Sequence, residues 1–171
     1  MEFRQPDRCV VGTLGAPGQR VFLIQVAQGR DIAAVVVEKE QAQMLGRRIT
    51  EILDQLAALG EPIPPAHDAR DMGPLDAPVS IDFRAGAIGL AWDARRSAAQ
   101  IELFGMDDQS DHEDPAFVQI WLTPAKAREF AARAEAIVQS GRPTCPVCAQ
   151  PLSAGGHICP RANGYRSHLF P

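Results

Sequence analysis

The chain has 171 residues, 46% hydrophobic and 22% charged, with 17 Lys and Arg against 21 Asp and Glu and a net charge of −4. That is enough for one domain with a real core plus a small appended module, and the acidic balance argues against a protein whose main task is to coat phosphate backbones. No apolar stretch approaches the roughly twenty residues of a membrane span, and the charged start Met1-Glu-Phe-Arg-Gln-Pro-Asp-Arg8 lacks the apolar run of a secretory leader, so a cytoplasmic protein without membrane contact is expected.

The first elements read as strands. Residues 8–14 and 19–27 are rich in Val, Ile and Phe around Gly15-Ala-Pro-Gly18, the pattern of a hairpin. A turn at Gln28-Gly-Arg-Asp31 leads to a third strand over residues 32–38, where the run Val35-Val-Val37 predicts burial on both faces. Residues 39–59 follow as a helix, with Met44, Leu45, Ile49, Ile52, Leu53, Leu56 and Leu59 at three- and four-residue steps and Gly60 as its stop.

Residues 61–78 contain five prolines and several charges, which excludes helix and central strand and reads as a surface linker. Strands are predicted at 79–83, 88–92, 98–105 and 116–122, with turns at Ala85-Gly86 and Asp93-Ala-Arg-Arg96. Thr123 then stands as N-cap and Pro124 at the first position of a second helix, which runs to about residue 139 and is halted by Gly141-Arg-Pro143. Each half is a β-meander followed by one helix. The fold class expected is α+β, an antiparallel β-meander plus helix unit duplicated about a pseudo-twofold axis, although residue identity between the halves is slight. Residues 1–140 are read as the domain, in halves 1–60 and 79–140 joined by the linker 61–78, and residues 141–171 as a zinc-knuckle tail.

That tail holds three of the four cysteines, in the run Cys145-Pro-Val-Cys148-Ala-Gln-Pro-Leu-Ser-Ala-Gly-Gly-His157-Ile-Cys159. Two cysteines two residues apart can aim both sulfurs at one tetrahedral ion, and Gly155-Gly156 lets the chain turn so that His157 and Cys159 return to it. A filled Cys145, Cys148, His157, Cys159 shell leaves no open position for water or substrate, so the expected cofactor is a structural zinc. His157-x-Cys159 is a tighter spacing than most finger patterns use, and His168 or Cys9 could supply the fourth ligand instead. Three reduced cysteines without metal, or a redox Cys145–Cys148 pair, remain as alternatives; the redox motif normally opens a helix, which Pro143, Pro146 and Pro151 disfavour.

Other candidates for chemistry are thin. The loop Met106-Asp-Asp-Gln-Ser-Asp-His112-Glu-Asp-Pro115 gathers Asp107, Asp108, Asp111, His112, Glu113 and Asp114, yet it lacks the glycine and ligand alternation of a calcium loop and fits a solvated charge block. Asp82 and Asp93 lie beside aromatics but suit outward positions on strands, and His67 suits a loop. Walker, Rossmann, nucleophile-elbow and His-Glu-x-x-His motifs do not occur. Beyond the cysteines, Asn163-Gly164 is a turn signal that draws Arg161, Tyr165 and Arg166 together. Those three could hold a phosphate or a stacked base, or could as well cap the zinc core and pair with acids.

Phe3-Arg-Gln-Pro-Asp-Arg8, Gly12-Thr-Leu-Gly15-Ala-Pro-Gly18-Gln-Arg20, Leu90-Ala-Trp-Asp93, Leu122-Thr-Pro124, Gly141-Arg-Pro-Thr-Cys-Pro-Val-Cys148 and Gly156-His-Ile-Cys-Pro-Arg-Ala-Asn-Gly-Tyr-Arg166 together resemble DUF3090, an uncharacterised actinobacterial family. The resemblance covers nearly the whole chain. It implies a cytoplasmic actinobacterial protein and supplies no activity and no catalytic residues; Cys9 replaces the aromatic residue expected there, which speaks against it as a shared metal ligand. The resulting expectation is a non-catalytic zinc-containing binding or adaptor protein whose partner is another protein or a phosphate-bearing ligand. Two alternatives are a single-stranded nucleic-acid binder, disfavoured by charge and by 6% aromatic content, and a metal-dependent hydrolase using the acidic loop.

Overall fold

The structure, a computed structural model, describes residues 1–16, 18–106, 116–140, 145–148, 152 and 158–162. Within them lie seven strands and two helices: β1 (Glu2–Phe3), β2 (Arg8–Leu14), β3 (Val21–Gln28), β4 (Asp31–Val37), α1 (Lys39–Ala58), β5 (Phe83–Asp93), β6 (Ala98–Gly105), β7 (Phe117–Leu122) and α2 (Pro124–Gln139). One mixed sheet takes all the strands in the order β1-β7-β6-β5-β4-β3-β2.

The first half forms as its pattern predicts. β2 and β3 pair antiparallel, from Arg8 opposite Ala27 to Leu14 opposite Val21, and β3 pairs antiparallel with β4. Gly29, at φ +62°, takes the first place of the two-residue loop joining β3 to β4, where type II′ hairpins use glycine. Val35, Val36 and Val37 are all buried, as expected of a strand covered on both faces. The helix α1 starts where Gln41 Oε1 accepts from the Glu38 backbone N–H at 2.8 Å, half of a capping box.

Three expectations need correction. Residues 79–82 are not a strand, and β5 is a single strand of 11 residues; the Ala85-Gly86 turn signal marks a register shift against β6, a bulge and not a chain reversal. The sheet is mixed: β4 pairs parallel with β5, across the α1 crossover, and β1 pairs parallel with β7. A twofold axis normal to the sheet does not relate the halves, because it would reverse strand direction between them. Here β4 and β7, each leading into a helix, run the same way, as follows from β4 parallel to β5 and the two antiparallel steps through β6.

The sheet must also curl. Seven flat strands at about 4.8 Å spacing would hold β1 and β2 about 29 Å apart, yet they are joined through Phe3 to Arg8, a stretch reaching at most about 18 Å. Curling explains why α2, which follows β7, packs on β2 at the other end of the order as well as on α1. The inner face, with Val11, Ile24, Val35, Ile101, Leu103, Ile120 and Leu122, meets Leu45, Ile49, Leu53, Phe130 and Ala134 of the helices. Where the helices cross, a Cβ on Gly46 would lie 3.0 Å from Ala134 Cβ and 3.4 Å from the Ala131 carbonyl, so glycine permits that approach.

Residues 61–78 carry no strand or helix, yet they are strapped down. Arg133, buried on α2, donates from Nε to the carbonyl of Val11 at 2.7 Å and from Nη2 to that of Gly73 at 2.7 Å, and also holds Asp71. Arg8 grips Asp71 and Asp76, at 2.7 and 3.1 Å. Gln25, fully buried, exchanges two hydrogen bonds with the Asp76 backbone. The strap thereby covers the outer face beside β2, where it shelters an edge strand.

Candidate metal centre

Each cysteine of the tail comes from a turn. Residues 146–148 turn after Cys145, and residues 160–162 turn after Cys159. Proline at 146 and at 160 fixes φ for such turns and prevents a helix from forming through them. As a result the Sγ atoms of Cys145, Cys148 and Cys159 all lie within 4.8 Å of one another. Cys145 Sγ and Cys159 Sγ are 3.9 Å apart, both side chains being buried. That distance is about twice a disulfide bond. It is close to the edge of about 3.8 Å that sulfurs occupy on a tetrahedral zinc at 2.3 Å each.

Two further contacts shape the cluster. The backbone N–H of Ala162 donates to Cys159 Sγ at 3.3 Å and holds that sulfur against the second turn. Arg161 Nη1 reaches the Val147 carbonyl at 3.5 Å and ties the second turn to the first. Three soft sulfur donors suit zinc, copper(I) or an iron–sulfur centre, so the cluster could bind a metal ion.

Of the residues singled out from sequence, Cys145, Cys148 and Cys159 are brought together and Arg161 sits beside them as a brace. His157, Tyr165, Arg166, His168 and the acidic loop at 107–114 lie outside the described residues. Cys9 is not part of the cluster: it is buried on β2 in the main core, where burial pushes its thiol up to about 12. Asp82 accepts from the Ala34 backbone N–H at 2.8 Å, and Asp93 closes its turn by accepting from Arg95 and Arg96. His67 approaches Glu129 at 3.7 Å beside the strap, while Glu129 accepts from the backbone N–H groups of Arg70 and Asp71. These acids hold backbone in place. No helix among the described residues is long and apolar enough to cross a membrane.

Fold and site together define an α+β protein with a mixed, curled seven-stranded sheet and a three-cysteine cluster able to bind a metal. The chain belongs to the family described as "Protein of unknown function (DUF3090)", whose model matches residues 1–159 and so ends on the third cysteine of the cluster. No curated protein and no solved structure matches the chain.

Proposed function

We propose that this is a non-catalytic, zinc-containing binding or adaptor protein, with Cys145, Cys148, His157 and Cys159 as the metal shell. The observation that carries the reading is the convergence of three sulfurs at a spacing that suits a tetrahedral ion. With His157 as fourth ligand the shell is closed, and the metal serves to hold the tail in shape. Val147 and Ile158, exposed beside the cysteines, support a role for the tail in contacting another protein, and a phosphate-bearing ligand would draw on the positive charge of Arg161 and Arg166 and the ring of Tyr165. Two tandem meander-helix units, β2 to β4 with α1 and β5 to β7 with α2, support a duplicated origin of the fold.

Limited proteolysis tests the reading. Trypsin acting on the intact protein should spare the bond between Arg161 and Ala162 until a zinc chelator is added. Cleavage there at equal rates with and without chelator would refute a metal-held tail.

A further inference from the structure

A cleft of about 880 Å³ opens where β4 ends, α1 begins and α2 ends. Its walls come from segments far apart in sequence: Phe22 from β3, Val37 from β4, Val138 from α2, and the cations Arg20, Lys39 and Arg84. The volume falls in the range that holds small ligands, which usually meet apolar walls and a few converging polar groups. Three cations face one carboxylate, that of Glu38, leaving an excess of two positive charges in a protein whose net charge is −4.

The cations are not consumed by structure. Arg84 pairs with Glu38 at 2.6 Å, with both side chains more than half exposed. Arg20 donates from Nη1 to the Ser140 carbonyl and hydroxyl, at 2.8 and 3.2 Å, and its other nitrogens meet no partner among the described residues. Lys39 meets no acid among the described residues. The cleft also lies beside the first turn of the 20-residue helix α1, whose unpaired N–H groups add a partial positive charge.

We propose that this cleft binds a small organic phosphate, with the phosphate among Arg20, Lys39 and Arg84 and its apolar body against Phe22, Val37 and Val138. A phosphomonoester carries about two negative charges near neutral pH, which matches the local excess, whereas a carboxylate carries one. Arginine forks suit phosphate oxygens bidentately. The proposal deepens the reading of the chain as a binding protein, but it uses none of the cysteines.

The test is calorimetric titration of the full chain with phenyl phosphate and ADP, with inorganic phosphate and hexanoate as comparators. One-to-one saturable binding of an organic phosphate is expected, tighter than either comparator. The Lys39→Gln/Arg84→Gln variant should bind it at least tenfold more weakly with an unchanged melting temperature, since both side chains are exposed. Unchanged affinity in that variant, or no saturable binding of either organic phosphate, overturns the proposal. Hexanoate binding as tightly as phenyl phosphate overturns the choice of phosphate. Zinc content measured on the same samples separates the two readings: a metal-free protein that binds phenyl phosphate leaves the cleft standing and refutes the metal centre.

Discussion

Asp71 is held by Arg8 through a side-chain hydrogen bond and, despite opposing desolvation, by the Gly73 backbone N–H and the charges of Arg8 and Arg133, which bring its carboxyl down to about 2. A carboxyl with a depressed folded value lends stability that is complete above its unfolded value near 3.8 and is lost as pH falls toward 2. Asp71→Asn should therefore be less stable than wild type at pH 6, and the gap should narrow between about pH 4 and pH 2, as read by urea unfolding at each pH. A gap that stays constant across that window would show that Asp71 does not act through its charge. Cys9 behaves in the opposite way, since burial raises its thiol far above neutrality and leaves almost no reactive thiolate. In folded protein treated with iodoacetamide and chelator at pH 8, peptide mapping should find Cys145, Cys148 and Cys159 alkylated while Cys9 stays unmodified. Alkylation of Cys9 at a matching rate would contradict its place in the core.

Among the elements, those set by local pattern were legible in the sequence. The three-four stripe from Met44 to Leu56, the Thr123-Pro124 start and the glycine-bounded hairpins each state their structure within a few residues. What escaped was set by distant partners. β1 is two residues long and exists because β7 offers its edge, and β5 runs unbroken through Gly86 because β6 pairs along it. The strap was readable as irregular chain but not as anchored chain, because its anchors, Arg8, Arg128 and Arg133, lie on β2 and α2. Arg133→Met should test this anchoring. It keeps the apolar stem and removes the donors to Val11, Asp71 and Gly73, so it should cost about 3 kcal/mol in chemical denaturation and expose the strap to protease. A loss below about 0.5 kcal/mol would mean that the buried guanidinium contributes little.

For the whole molecule, the decisive features are pairings across long stretches of chain. The parallel match of β4 with β5 and the closure of β7 by β1 turn two meanders into one curled sheet with both helices on its inner face, and neither pairing has a local signature. The same separation hid Arg20, Lys39 and Arg84, which are 19 and 45 positions apart and meet in one cleft. The cysteine cluster was legible for the converse reason: its three cysteines lie within fifteen positions, two of them at the Cys-x2-Cys spacing of a metal half-site, with Pro146 and Pro160 setting turns beside them.

The most direct test of the metal centre is elemental analysis by mass spectrometry of untagged wild type beside Cys145→Ser and Cys159→Ser. About one zinc per chain is predicted in the wild type and none in either variant, as expected when a tetrahedral shell loses a ligand. A metal-free wild type, or zinc retained at full stoichiometry in both variants, would contradict the account.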